Sequence, residues 1–212
     1  MIATLYDVHG NLRALEAVLQ EIPEDATIVV GGDVVAGGQQ PAETLERLRA
    51  LGDRVKWVRG NADRELTPGE PALAPPGVLD ETRAALTDEQ IAFLHSRPPT
   101  VQIGRILYCH ATPRNDVDVF TERTPEERLT SIFADIDADV VVCGHTHMQF
   151  DRTIAGKRVV NSGSVGMPYE DQPGAYWTLD LEHRRTGYSD AVPPQMGRDE
   201  AQTLFESFSV AL

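Results

Sequence analysis

The stretch Asp7-Val8-His9-Gly10-Asn11 follows an apolar run over residues 2–6 and precedes a helix-like pattern over residues 12–19. Because alternate side chains of a strand share a face, we expect Asp7 and His9 to point the same way at the strand's carboxyl end. One carboxylate and one imidazole on one face form half of a divalent-metal site. Open α/β sheets place their ligand sites at that end. The sequence therefore predicts that later parts of the chain supply the other half.

The first third of the chain alternates between apolar runs and helical patterns. Strands are predicted over residues 2–6, 27–30 and 55–58. The first helix is expected to run from Leu12 to about Ile22, and the second to begin at Pro41. This alternation predicts parallel strands joined by right-handed crossovers.

The second half of the chain is richer in strands. Residues 101–103, 106–109 and 140–143 are predicted strands, and Cys109 and Cys143 lie in two of them as buried free thiols. Four later runs suggest an antiparallel second sheet, over residues 150–154, 157–160, 175–181 and 185–189. Helix starts are predicted near Thr124 and over residues 197–212.

Residues 67–99 interrupt this succession of predicted strands and helices. They begin with prolines and glycines and then become helical, with Thr87 and Gln90 placed as a capping box. We therefore expect a single domain over residues 1–212 with an inserted helical segment at about 64–100. Two interpretations stay open, namely a lid near the rim of the site and a surface excursion without a catalytic part.

Charge and composition exclude several classes of function. The net charge of −14, from 33 acidic and 19 basic residues, argues against an extended nucleic-acid surface. An anionic substrate stays possible because bound metals reverse the local sign of charge. Since the sequence has neither an apolar run of about 18 residues nor a signal-like segment, we expect no membrane contact and a cytoplasmic location. The oligomeric state is open, with a homodimer as one option.

Polar groups follow five of the predicted strands. They are Asp7 and His9, Asp33, Asn61, His110, and His145 with His147. Parallel strands would bring these ends to one edge of a sheet. Two carboxylates, one amide oxygen and four imidazoles are enough for two adjacent divalent cations, and a mixed O/N donor set suits Mn, Fe, Zn, Co or Ni. Each fragment alone is a weak signal, but their shared position after apolar runs makes the combination specific.

In this order, the motifs Asp-x-His, Gly-Asp, Gly-Asn-x-Asp, His and Gly-His-x-His resemble the calcineurin-like metallophosphoesterase superfamily. The likeness is closest to its small bacterial and archaeal phosphodiesterase branch, and it covers about residues 1–181. It implies an α/β fold, a four-layer αββα sandwich of two mixed β-sheets flanked by helices. One metal would take Asp7, His9, Asp33 and His147, and the other Asp33, Asn61, His110 and His145, with Asp33 bridging.

The resemblance also implies an activity. The protein would be a phosphodiesterase that hydrolyses a small phosphoester by attack of a metal-bridging hydroxide, with two divalent ions as cofactors. Manganese is the first expectation, with Fe, Zn, Ni, Co or Mg as alternatives. Asp33, Asn61, His110 and Asn11 are the predicted catalytic residues, and Asn11, Arg13 and Arg114 are the predicted substrate contacts. The small-residue loop Gly163-Ser164-Val165-Gly166 matches a family feature that we interpret as packing.

One position departs from the family pattern. Many members carry a histidine after the Gly-Asn pair as a general acid, whereas this chain has Ala62, followed by Asp63. We therefore expect diesters or aryl esters with good leaving groups to react best, and Asp63 to orient a ligand rather than donate a proton. Two alternatives stay open, a phosphomonoesterase acting on proteins or nucleotides and a non-catalytic protein-interaction module on the same scaffold.

Overall fold

A computed structural model describes residues 1–189, 191 and 194–208 of the chain. The strands in this part are β1 (Ile2–Leu5), β2 (Thr27–Val30), β3 (Val55–Trp57), β4 (Thr100–Ile103), β5 (Ile106–Cys109), β6 (Val140–Cys143), β7 (Gln149–Ile154), β8 (Lys157–Ser162), β9 (Ala175–Leu179) and β10 (Glu182–Thr186). The α-helices are α1 (Leu12–Leu19), α2 (Pro41–Arg49), α3 (Asn61–Glu65), α4 (Pro76–Ala84), α5 (Asp88–His95), α6 (Glu126–Phe133) and α7 (Arg198–Phe208). These elements form two sheets with helices on their outer faces.

Both sheets have five strands and mixed directions. Sheet I has the order β10-β9-β1-β2-β3, in which β1, β2 and β3 are parallel and the β9–β10 hairpin is antiparallel to β1. Sheet II has the order β4-β5-β6-β8-β7, with β5, β6 and β8 parallel between two antiparallel edge strands. The expected pair of mixed sheets is confirmed.

Three apolar layers hold the sheets and helices together. The first lies between sheet I and the helices α1, α2, α4 and α5, and it includes Leu5 and Leu48. The inter-sheet layer consists of Tyr6, Val29, Val58, Tyr108 and Val142. The third lies between sheet II and α6, around Phe133 and Val141. Neighbouring residues of one strand thus face different layers, as the period of two requires. The result is a helix–sheet–sheet–helix sandwich.

The prediction that the last four strands form one antiparallel sheet is wrong. They form two hairpins, of which β7–β8 extends sheet II beside β6 and β9–β10 extends sheet I beside β1. Strand β10 also begins earlier than the predicted run 185–189, because Asp180 and Leu181 make a tight turn with φ of 48° and 69°. Alternation identifies strands, but it does not identify their partners in a sheet.

The helices agree with the sequence in part. Helix α1 ends at Leu19 rather than near Ile22, and α2 begins at Pro41. Helix α3 was not predicted, whereas α4 lies within the predicted inserted helical segment. The capping box of α5 is confirmed, with the Gln90 N–H donating to Thr87 Oγ1 at 3.2 Å. Helix α7 matches the predicted terminal helix, although the predicted residues 209–212 lie outside the described residues.

Helices α4 and α5 form the inserted segment, and both pack on sheet I. Leu79 and Leu94 lie in its helix-side core. Val78 of α4 lies beside the loop that follows β2, since its Cγ1 is 3.9 Å from the position of a Cβ built on Gly37. The segment therefore supports the first layer and reaches a loop near the carboxyl end of β2.

Two further predictions concern the state of the cysteines and contact with a membrane. Cys109 and Cys143 are buried and free, as expected. Within the part of the chain that the structure describes, no helix is long and apolar enough to cross a membrane.

Candidate metal centre

The predicted ligands converge where the carboxyl ends of both sheets meet. They are Asp7, His9, Asp33, Asn61, His110, His145 and His147, and they are called the candidate metal centre below. Asp7 Oδ1 lies 3.5 Å from His147 Nε2 and 3.9 Å from His110 Nε2, so one carboxylate of sheet I faces residues from sheet II. The sequence predicted one sheet edge, whereas the ligands lie at the shared edge of two facing sheets.

Left-handed backbone places most of these ligands. Asp7, His9, Asp33, His145 and His147 have φ of 53°, 49°, 53°, 67° and 58°. Strand β1 ends before Asp7, so alternation along a strand is not why Asp7 and His9 converge. Each non-glycine residue in this conformation costs about 1–3 kcal/mol, and such strain clusters at functional sites. The chain turns sharply after each strand and thereby aims successive polar side chains into one space.

Asp7, His9 and His147 form the first ligand cluster. The Nδ1 atoms of the two histidines lie 2.6 Å and 2.7 Å from the carbonyl oxygens of Ala36 and Met167. Because a carbonyl only accepts, Nδ1 carries the proton in each neutral ring and Nε2 presents a lone pair. These Nε2 atoms are 3.2 Å apart, and the buried Asp7 Oδ1 has no hydrogen-bond partner. Two lone pairs and a carboxylate oxygen that face one another fit a cation.

Asp33, His110 and His145 form the second ligand cluster. His110 Nδ1 lies 2.9 Å from the Gly31 carbonyl oxygen, which turns Nε2 into the centre. This Nε2 is 3.5 Å from Asp33 Oδ2 and 3.1 Å from Asn61 Oδ1. The second cluster therefore adds one carboxylate, one amide oxygen and two imidazoles.

The electrostatics of the centre favour positive charge. Burial opposes a charged His110, but the Asp33 carboxylate raises the pKa of His110 to about 10. Burial and the neighbouring His110 lower the pKa of His145 to about 4, so its imidazole is neutral at pH 7. Burial alone would raise the pKa of Asp33, but His110 outweighs it and the pKa is lowered. Burial would likewise raise the pKa of Asp7, but His147 and His110 outweigh it and the pKa is lowered, so both buried carboxylates can stay ionised.

Asp63 fixes the backbone of the second cluster. Its carboxylate accepts hydrogen bonds from the N–H groups of Asp33, Val34 and Gly60 at 2.9, 3.0 and 3.0 Å. Asp63 is buried, and its acceptors are used by these three donors. Asp63 thus holds the backbone of Asp33, a predicted ligand, and its role in orienting that ligand stays a prediction.

Two supporting residues escaped the sequence analysis. Glu65 accepts from Asn61 Nδ2 at 3.1 Å, and because a carboxylate only accepts, this bond turns the Asn61 oxygen toward His110. The i,i+4 spacing of Asn61 and Glu65 could have shown the pair if α3 had been predicted. Asn161 donates to the Gly144 carbonyl at 2.8 Å and so holds the turn that carries the last two histidines.

The loop Gly163-Ser164-Val165-Gly166 packs against the first cluster, as interpreted from the sequence. Ser164 Oγ and the Gly166 N–H both donate to the Asp7 carbonyl, at 2.7 Å and 3.0 Å. A Cβ on Gly166 would lie 1.9 Å from the Val8 carbonyl oxygen, so this close approach requires glycine.

The predicted substrate contacts lie in two places. Asn11 caps α1 by accepting from the Ala14 N–H at 3.1 Å, and its Nδ2 donates to the Gly166 carbonyl. Asn11 and Arg13 line a pocket of about 350 Å³ that begins at His9. Arg114 is paired with Asp118 at 2.8 Å on the surface. Contacts of these three residues with substrate stay predictions.

Comparisons with known proteins agree with this geometry. Residues 1–184 match the family model for the calcineurin-like phosphoesterase superfamily domain. Phosphodiesterase YfcE of Escherichia coli K12 is 26% identical over 184 residues, which cover 82% of this chain and 84% of that protein. A symmetrical bis(5'-nucleosyl)-tetraphosphatase of Pectobacterium atrosepticum is 33% identical over 123 residues, 52% of this chain and 43% of that protein. The chain thus spans less than half of this second relative.

A solved structure shares the fold. The crystal structure of a metallophosphoesterase from Sphaerobacter thermophilus superposes with a TM-score of 0.71 at 24% identity, over 98% of this chain and 94% of that one. The agreement extends over both sheets and their helices.

Proposed function

The chain belongs to the calcineurin-like phosphoesterase superfamily, and we propose from that membership that it is a metal-dependent phosphodiesterase acting on small phosphoesters. The observation that carries the proposal is the pair of ligand clusters, in which buried carboxylate oxygens and imidazole nitrogens face one another. The similarity to a protein named as a phosphodiesterase supports the choice of diesters.

We assign two divalent cations to the candidate metal centre. Asp7, His9, Asp33 and His147 would hold one, and Asp33, Asn61, His110 and His145 the other. Two cations at such a site supply a nucleophile from water at neutral pH and neutralise charge on the phosphoryl group. The O/N donor set without thiolate agrees with manganese as the first expectation, and with Fe, Zn, Ni, Co or Mg.

The protein's own contribution is positioning and charge. Asp7 and Asp33 provide the negative charge that retains cations in a buried space. The bonds from imidazole Nδ1 atoms to backbone carbonyls fix both the tautomer and the ring orientation of His9, His110 and His147. The phosphoester therefore meets a preorganised site rather than one that must assemble during the reaction.

Ala62 shapes the choice of substrate. Its N–H donates to Asp33 Oδ1 at 2.8 Å, and its methyl group offers no proton. A general acid is typically worth 10²–10⁴-fold for a poor leaving group. We therefore propose that esters with good leaving groups react best.

A panel of metals and substrates tests the proposal. Chelator-treated protein is reloaded with each of the six metals and assayed on bis(p-nitrophenyl) phosphate and on p-nitrophenyl phosphate. We expect metal-dependent hydrolysis, faster for the diester, that disappears in Asp33→Asn and persists in the matched surface variant Asp25→Asn. Hydrolysis that falls less than tenfold in Asp33→Asn contradicts the proposal.

The same panel separates the two alternatives. A preference for the monoester would favour a phosphomonoesterase. Tightly bound metal with no turnover of either ester would favour a protein-interaction module. The cytoplasmic location, the oligomeric state and the role of the inserted segment as a lid stay predictions.

A further inference from the structure

We propose that the pocket beside His9 binds a neutral, nucleoside-sized group of the substrate, an inference that rests on the function proposed above. Its volume of about 350 Å³ is in the range of small-molecule sites. His9 lines this pocket and also belongs to the ligand cluster with Asp7 and His147. One ester group of a diester held at the candidate metal centre can therefore extend into the pocket.

The pocket wall is largely backbone. A Cβ on Gly38 would lie 1.8 Å from the His9 carbonyl oxygen, and one on Gly166 would lie 1.9 Å from the Val8 carbonyl oxygen. Both glycines line the pocket, so closely packed backbone forms part of its wall.

Charge distinguishes the pocket from the rest of the protein. The chain has 33 acidic residues and a net charge of −14, yet none of the lining residues that the structure describes is acidic. Cationic alcohols such as choline are bound by carboxylates or by cages of several aromatic rings. The described lining offers neither, so it favours a neutral group over a cationic one.

The remaining lining residues combine amides with one aromatic ring and one thioether. The amides are Asn11, Gln39, Gln40 and Gln195. Tyr188 is half-buried, and its hydroxyl accepts from Asn11 Nδ2 at 3.2 Å. Tyr188 and Met167 give polarisable surfaces for a planar base. The amides of Gln39, Gln40 and Gln195 can bond to sugar hydroxyls and base edges. A small alkyl ester would leave most of this volume and most of these amides unused.

Three aryl diesters with the same p-nitrophenyl leaving group test the inference. Their second ester group is thymidine 5'-yl, methyl or choline. We expect kcat/KM of the metal-loaded protein for the thymidine ester to exceed both others by about tenfold or more, because stacking of a base is worth about that factor. Equal values for the thymidine and methyl esters, or a preference for the choline ester, would overturn the inference.

Two variants at one position locate the effect. Tyr188→Ala should remove most of the preference for thymidine over methyl, whereas Tyr188→Phe, which keeps the ring, should retain it. A loss that is equal for both esters in Tyr188→Ala indicates a structural role only and contradicts the assignment of the pocket.

A binding measurement separates failure of this inference from failure of the proposed function. Thymidine alone is titrated into the metal-free protein and into Tyr188→Ala by NMR. Binding that is weakened about tenfold in the variant supports the pocket even if no ester is hydrolysed, in which case only the enzymatic function fails. Hydrolysis of the methyl ester without thymidine binding or thymidine preference leaves the function standing and refutes the inference.

Discussion

The apolar layers and the candidate metal centre are built from the same strands but in different ways. Tyr6 belongs to the inter-sheet layer, where its hydroxyl donates to the Val142 carbonyl at 3.0 Å. Asp7, the next residue, is left-handed and has a buried oxygen without a hydrogen-bond partner. Regular strands supply the burial that stabilises the fold, whereas the centre concentrates strain and like charge. A residue that stabilises the fold and a residue proposed to bind metal are therefore neighbours in the sequence.

The largest expected effect follows from substitution at the centre. Asp33→Asn keeps the side-chain oxygen that accepts from Ala62 N–H but removes the charge that the two proposed cations would share. We expect kcat/KM for bis(p-nitrophenyl) phosphate to fall by about 10³-fold. The metal-free variant should stay folded with a lower melting temperature, because buried His110 loses the carboxylate that faces it at 3.5 Å. Unfolding of the variant, or a loss of activity below tenfold, would contradict the claim that the centre serves activity and the apolar layers serve stability.

A substitution in the apolar layers should lower stability and leave the activity of the folded protein nearly unchanged. Phe133 is fully buried and packs edge-to-face against Phe120 with ring centroids 5.6 Å apart. Phe133→Ala should lower the free energy of unfolding by about 3–5 kcal/mol, measured in urea, with little change in KM of the folded fraction. The matched variant Leu73→Ala, at a residue that is 62% exposed, should change stability by less than about 0.5 kcal/mol. Equal losses in both variants would contradict the assignment of the core.

Substitution of Glu65, which supports Asn61, should have an intermediate effect on metal binding. Glu65 accepts from both Asn61 Nδ2 and the Ala74 N–H. A glutamine there has one acceptor, so Glu65→Gln releases one donor or flips the Asn61 amide. We expect the affinity for manganese to fall about 10–100-fold, measured by calorimetry against the surface control Glu43→Gln. Unchanged affinity would show that Asn61 is not a ligand.

The smallest effect concerns the leaving group. Ala62→His restores a candidate general acid and should raise the rate about tenfold for an alkyl leaving group, with less gain for p-nitrophenyl. Because Ala62 is buried, Ala62→Gln serves as a control of similar length without a suitable acid. An equal gain for both leaving groups, or the same gain in the glutamine variant, would remove Ala62 from the account of substrate preference.

The sequence predicted the strand ends because apolar runs and the polar residues after them are local signals. Asp33, His110 and His145 follow strands that were predicted within a residue or two. The convergence of Asp7 and His9 was also predicted, but for a reason that the structure corrects, since left-handed turns rather than strand alternation place them.

Features that depend on contacts between distant parts of the chain were harder to predict from the sequence. Partners of the β7–β8 and β9–β10 hairpins depend on which sheet has a free edge, and alternation carries no information about that. Strand β10 was misplaced because residues 182–185 are exposed and show little apolar pattern. Glu65 was missed because an acidic residue suggests a solvated surface, whereas here it is fully buried beneath Asn61.

The most direct test of the account is an anomalous-difference map from crystals of the manganese-loaded protein. It predicts two peaks per chain, one among Asp7, His9 and His147 and the other among Asp33, His110 and His145. A single peak, or peaks that none of these residues ligates, would contradict the claim that the two clusters form a dinuclear centre.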